Sequence, residues 1–113
     1  MSRPDENQHI YNETNPASTT YSSVMSLSRG SLLSLHVDNT GMTGTLKLWV
    51  TNNPDYDAAE AEWIEVTSIF TALAGTSTEF INLGNVAGRF YKVSYEDTSG
   101  TGNIQVYANY GEA

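Results

Sequence analysis

One stretch of the sequence decides the fold class: Gly44-Thr45-Leu46-Lys47-Leu48-Trp49-Val50-Thr51. The aliphatic residues of this stretch are separated by one position each, so in a β-strand they all point to the same face. The threonines, Lys47 and Trp49 then point to the opposite face. The stretch therefore predicts a strand with one face toward a core and one face outward.

The same alternation recurs near the C terminus, at residues 89–95 and 102–110. Between these stretches lies Asp97-Thr98-Ser99-Gly100-Thr101, which is rich in residues that favour turns. The sequence therefore predicts a C-terminal hairpin of two short strands.

Further short strands are predicted between clusters of turn residues, at residues 21–27, 32–37, 61–66 and 78–83. Residues 38–41 (Asp-Asn-Thr-Gly) predict a turn, and residues 67–74 suit either a strand or a single helical turn. No pattern of strands alternating with long amphipathic helices is present, which disfavours a parallel α/β fold. The predicted class is all-β, an antiparallel β-sandwich or jelly roll of about seven to eight short strands.

The N-terminal residues 1–20 differ in composition from the rest, and we expect them to form an extended polar arm before a β-sandwich domain at residues 21–113. Ile10 and Tyr11 are nearly the only apolar side chains in the arm, so they are its candidate anchors on a partner. Such a polar segment cannot offset its ordering entropy alone. Either the arm orders on a partner or it is an idle terminus.

Charge and composition limit the classes of partner. The chain has 113 residues, 13 of them acidic and 5 basic, and its formal net charge is -8. Phosphate backbones and anionic membrane surfaces repel such a chain, so neither nucleic acid nor a membrane is expected to bind it. Cysteine is absent from the sequence, which excludes disulfides and thiolate zinc sites. The first residues lack the order of a secretory signal, so we expect a complete cytoplasmic product.

No residue set predicts catalysis. The two histidines are His9, in the arm, and His36, which shares a strand face with Asp38 but has no Gly-x-Ser-x-Gly motif to complete a triad. Glu60, Glu62 and Glu65 suit a glycosidase by residue type alone, in a chain with little mass for a substrate groove. We expect no catalytic residues, no cofactor and no enzymatic activity.

Residues 53–57 form a candidate cation-binding loop. Asn53, Asp55 and Asp57 place oxygen side chains at every second position, a pattern that suits calcium. The loop has Ala58 and Ile64 where a helix-loop-helix calcium site has its glycine and glutamate. The alternative is an exposed acidic loop with no metal.

Two aromatic side chains are candidates for partner contacts. Trp49 and Tyr107 fall on the faces opposite the aliphatic positions, and so on the outer surface if those positions face a core. Exposed aromatics suit a subunit interface or a surface that stacks against sugar rings. The alternative is that loops or the arm cover them.

The chain resembles the small β-sandwich virion proteins of tailed bacteriophages, the head decoration or cement proteins. The resemblance covers residues 32–108 and lies in residues 44–52, Trp63, residues 90–95 and residues 98–104. It departs from the family at residues 53–62, where a tight turn is usual, and it does not include the arm.

This resemblance implies a structural role on the capsid surface of the virion, after synthesis in the host cytoplasm. The implied partners are the major capsid protein and further copies of the same chain, as a homotrimer. The alternatives are a carbohydrate-binding or adhesive surface domain, with Trp49, Tyr56 and Tyr107 as stacking groups and calcium at Asp55 and Asp57, and a tail or neck subunit.

Overall fold

The computed structural model describes residues 6–27, 30–55 and 63–111. These residues form strands and connecting loops without any helix. The described part of the chain contains seven strands: β1 (Glu6–Thr14), β2 (Thr20–Tyr21), β3 (Met25–Ser26), β4 (Leu32–Thr51), β5 (Ile64–Leu73), β6 (Thr76–Asn85) and β7 (Phe90–Gly111). All pairings are antiparallel within one sheet. The all-β class is confirmed, and the sheet is compatible with a β-sandwich or jelly roll.

Two of the strands are much longer than predicted. β4 has 20 residues and β7 has 22. They pair along their whole length, from Leu32 opposite Gly111 to Thr51 opposite Phe90. The predicted C-terminal hairpin is therefore wrong, because both of its strands belong to β7. The predicted turn at residues 38–41 is also wrong, and residues 67–73 continue β5 instead of forming a helical turn.

Each long strand is bulged near its middle, where the β4–β7 register shifts between Thr40 and Met42. The buried positions of β4 are odd-numbered up to Asn39 and even-numbered from Met42 to Leu48. One extra residue at a bulge exchanges the two faces of a strand, so it keeps the aliphatic side chains of both halves inward. The bulge is stabilised by the Asn39 carboxamide, whose Nδ2 donates to the Met42 carbonyl (2.8 Å) and whose Oδ1 accepts from the Met42 N–H (3.1 Å).

Glycines allow the two strands to approach at this bulge. Gly41 has φ of 86° and Gly102 has φ of 149°, a range that side-chain-bearing residues rarely adopt. A Cβ atom on Gly102 would lie 1.6 Å from the carbonyl oxygen of Thr40. The residues that predicted turns thus form a bulge inside continuous strands, since glycine and asparagine suit both structures.

The bulge divides the sheet into two parts. The first half-sheet contains β1, β6, residues 32–40 of β4 and residues 103–111 of β7. The second contains β2, β3, β5, residues 44–51 of β4 and residues 90–97 of β7. Side chains of both halves enter one buried cluster, which includes Leu35, Leu48, Val93, Tyr95 and Val106. The strand faces predicted from alternation in residues 44–51, 91–95 and 104–108 therefore meet in a single core.

The N-terminal segment differs from the predicted arm, because Glu6–Thr14 is a strand of the sheet. It pairs with β7 from Glu6 opposite Tyr110 to Thr14 opposite Asn103. Ile10 and Tyr11 are 5% and 3% exposed and belong to the core. The prediction that they contact a partner is therefore wrong, because neither side chain is accessible. The register shift between His9 and Tyr11 lets the adjacent residues Ile10 and Tyr11 both face inward.

Candidate functional site

A row of four aromatic rings crosses the outer face of the first half-sheet. His9 of β1 lies opposite Tyr107 of β7, Tyr107 lies opposite His36 of β4, and His36 lies opposite Phe80 of β6. Side chains directly opposite one another on neighbouring strands share a face and lie in contact range. We call His9, Tyr107, His36 and Phe80 the ring row.

Tyr107 is held at the centre of the ring row. Its ring stacks on that of His9, with centroids 4.4 Å apart and an angle of 18° between the planes. The ring of His36 meets it edge-on, with centroids 5.6 Å apart. The Tyr107 hydroxyl donates to Oε1 of Gln105 at 2.9 Å. Tyr107 thus lies on the outer face as predicted, between the two histidines of the chain.

A groove of about 580 Å³ lies beside the ring row. It is lined by Ser34, His36, Asp38, Phe80, Tyr107 and Asn109. Phe80 is 66% exposed, so its ring is available to a ligand. Three of the lining side chains are aromatic and three are polar, which is the mixture found in small-molecule sites.

Asp38 is the charged group of the groove, and it bonds to two neighbours through one oxygen. His36 Nε2 lies 3.1 Å from Asp38 Oδ1, and the Thr78 hydroxyl donates to the same oxygen at 3.2 Å. Among the described residues, the second oxygen, Oδ2, has no hydrogen-bond partner. The predicted shared face of His36 and Asp38 is confirmed. Ser34 lines the same groove, and among the described residues no hydrogen bond joins Ser34 to His36.

Among the residues that the structure describes, no lysine or arginine lies beside the ring row. The described basic residues are Lys47, Arg89 and Lys92, all on or beside the second half-sheet. Lys47 forms an ion pair with Glu96 at 2.9 Å, and this bond raises the pKa of Lys47. The groove therefore offers neutral polar groups and one carboxylate to a ligand.

A second aromatic surface lies on the outer face of the second half-sheet, and the side chain of Lys92 covers part of it. Tyr21, Trp49, Trp63 and Lys92 line it. The Lys92 ammonium lies 4.4 Å from the centre of the Tyr21 ring and 4.5 Å from that of Trp63, a cation–π arrangement. Trp49 Nε1 donates to the Ser94 hydroxyl at 2.9 Å. Trp49 is on the outer face as predicted, half-buried, and its role as a partner contact stays a prediction.

The predicted cation loop is described in part. The Asn53 side-chain oxygen accepts the Asp55 N–H at 2.9 Å, and the Asn53 N–H donates to the Thr51 hydroxyl at 3.1 Å. Asp57 lies outside the described residues. No cluster of three or more His, Cys, Asp or Glu side chains that suits a metal occurs within residues 6–27, 30–55 and 63–111. Cation binding at this loop stays a prediction.

Of the groove residues, Tyr107 alone was predicted as a partner contact, and the other five were not predicted to line a site: Ser34, His36, Asp38, Phe80 and Asn109. Residues 78–83 alternate, with Ile81 and Leu83 partly buried against the core and Thr78, Phe80 and Asn82 exposed. A large aromatic residue among outward polar residues is the signal that could have identified Phe80.

Comparisons with known proteins identify no family. No helix that could span a membrane is present in the described residues. No family model matches the chain, and no curated protein matches it at a significant level. Among solved structures, the core of Drosophila NLP, described for pentamer formation and histone binding, has 13% identity and a TM-score of 0.37 over 94% of this chain and 96% of that chain. The infectious bursal disease virus Gx strain structure has 10% identity and a TM-score of 0.38 over 97% of this chain and 38% of that chain. At these identities and TM-scores, neither likeness indicates a function for this chain.

Proposed function

We propose that the protein is a non-enzymatic virion protein of a tailed phage, a decoration or cement protein that binds the assembled head and stabilises it. The proposal rests on the sequence resemblance over residues 32–108 and on one structural observation, the apolar edge strand described next. The proposed partner is the major capsid protein, and the proposed location is the capsid surface.

The edge strand β5 carries this proposal. β5 stands at the end of the strand order β1-β7-β4-β5, so its outer edge pairs with no strand of the described chain. Ile64 and Val66 on this strand are 66% and 47% exposed. An exposed edge with apolar side chains favours pairing with another chain, which natural proteins otherwise avoid. In a chain with a net charge of -8, such an edge is the expected place for a protein contact.

The many identical sites on a phage head can strengthen attachment through a weak contact of this kind. A head presents the same capsid surface many times, and linking several copies raises the effective affinity of each contact without any new contact. The proposal therefore includes a homotrimer, as the resemblance implies. Light scattering of the purified protein, together with occupancy on heads in multiples of three, measures this part separately.

Binding to undecorated heads tests the function. Heads of the phage that encodes the chain, assembled without it, are mixed with purified protein and sedimented. We expect saturable, stoichiometric binding by the wild type and by Phe80→Ala. Ile64→Asp should weaken binding by roughly tenfold or more, because it removes a large apolar side chain from the contact and adds a charge. Failure of the wild type to bind either mature or immature heads would overturn the proposal.

A further inference from the structure

The groove beside the ring row joins exposed rings to hydrogen-bonding groups, and we propose that it binds a neutral carbohydrate. One face of a pyranose ring consists of C–H groups and packs on aromatic side chains, while its hydroxyls donate and accept hydrogen bonds around its rim. The groove supplies both kinds of contact, from Phe80, Tyr107 and His36 on one hand and from Ser34, Asp38 and Asn109 on the other. This site is separate from the β5 edge that is proposed to contact the head.

The charges of the groove favour a neutral ligand. Asp38 is its carboxylate, and the described basic residues Lys47, Arg89 and Lys92 lie on or beside the other half-sheet. A phosphate, sulfate or carboxylate group would meet repulsion from Asp38, and none of the described lysine and arginine side chains lines the groove to offset it. Nucleic acids and acidic sugars are therefore disfavoured.

The polar groups of the groove disfavour a purely apolar ligand. Ser34 and Asn109 would lose water under such a ligand without gaining a hydrogen bond, and an unpaired buried polar group costs free energy. Asp38 Oδ2 would lose water in the same way, whereas a sugar hydroxyl can donate to it. A ligand with an apolar face and many hydroxyls satisfies both parts of the groove.

The size and the order of the groove fit this ligand. Its volume of about 580 Å³ falls within the usual range for small-molecule sites. Tyr107 is fixed by the His9 stack and by Gln105, and His36 is held by Asp38. Rings that are already ordered lose little entropy when a ligand binds, which favours affinity from a small contact area.

The second aromatic surface shows why the ring row is the candidate. There the Lys92 ammonium lies over the rings of Tyr21 and Trp63, so a sugar would have to displace it. In the groove, Phe80 has 66% of its surface in solvent. The two outer faces of the sheet thus differ in whether a ring is free to stack on a ligand.

A printed array of neutral and anionic oligosaccharides, followed by calorimetry with each soluble oligosaccharide that binds, tests the inference. Wild type should bind at least one neutral glycan and no anionic one. Phe80→Ala should weaken that binding roughly tenfold through the loss of the stacking ring, and Asp38→Ala should weaken it by a similar factor. Ile64→Ala is the matched control, because Ile64 has the same exposed fraction as Phe80, 66%, and lies on β5; it should bind like the wild type.

Three outcomes would overturn the inference: a blank array with folded wild-type protein, selective binding of anionic glycans, or binding that Phe80→Ala leaves unchanged. Loss of head binding in Phe80→Ala together with a blank array would assign the groove to a protein contact instead. Failure of head binding alone leaves the array result unaffected, so the two proposals are tested separately.

Discussion

Replacing Ile10 by alanine tests whether residues 6–14 are part of the folded core. Ile10 is 5% exposed and belongs to the buried cluster. Removing a large aliphatic side chain from a core costs about 2–5 kcal/mol, from lost transfer free energy and from the cavity that remains. β1 pairs on one side only and can relax toward the cavity, so we expect about 3 kcal/mol. At roughly 4 °C per kcal/mol, the melting temperature should fall by about 12 °C.

Urea unfolding followed by tryptophan fluorescence and by far-ultraviolet circular dichroism measures this effect. Trp49 and Trp63 border the second half-sheet, whereas Ile10 lies in the first, so coincident transitions would show that both halves unfold together. Ile64→Ala makes the same chemical change at a site that is 66% exposed, and it should cost less than about 0.5 kcal/mol.

A free energy of unfolding for Ile10→Ala within about 0.5 kcal/mol of the wild type would refute this reasoning. Residues 6–14 would then contribute little to stability, and the polar arm expected from composition would describe them better than strand β1.

Three further predictions concern the bulge and the buried tyrosine. Gly102→Ala should cost more than about 3 kcal/mol or prevent folding, since its Cβ would lie 1.6 Å from a carbonyl oxygen of β4; Gly84→Ala, with positive φ but open space, should cost only about 1 kcal/mol in the same thermal unfolding assay. Asn39→Ala should cost roughly 2–3 kcal/mol in urea unfolding, because it leaves the buried Met42 N–H and carbonyl without their partners. Burial raises the pKa of Tyr95 to about 12 from 10.0, so the neutral phenol stabilises the fold below pH 10 and this stability is lost as the pH rises through 12. Unfolding free energies measured from pH 9 to 12 should fall by up to about 1.4 kcal/mol per pH unit more in wild type than in Tyr95→Phe, and equal slopes would contradict the assignment.

Alternation of side chains along single strands was predictable from the sequence. Leu46 and Leu48 face the core as expected, as do Val93 and Val106, and Trp49 lies on the outer face. These assignments hold because the face to which a side chain points depends on its neighbours along the same strand. The all-β class followed from the same local pattern.

The path of the chain through the bulge was not predictable from the same residues. Asn39 and Gly41 suit a turn and a bulge equally, because glycine adopts a positive φ easily and an asparagine side chain can hydrogen-bond to the backbone nearby in either structure. What distinguishes them is the opposing strand, where Gly100 and Gly102 allow the backbones to approach. That information lies far along the chain.

The sequence by itself determined which face of its strand each side chain occupies and the acidic charge of the chain. The tertiary structure alone decided which distant residues contact one another. His9, His36, Phe80 and Tyr107 are scattered along the chain and form one row only through the register of four strands. Residues 6–14 became a strand through backbone hydrogen bonds to β7, which side-chain composition does not reveal. Register and backbone pairing are set between distant segments, and a slip of one residue in any one of these strands would turn that strand's ring to the other face.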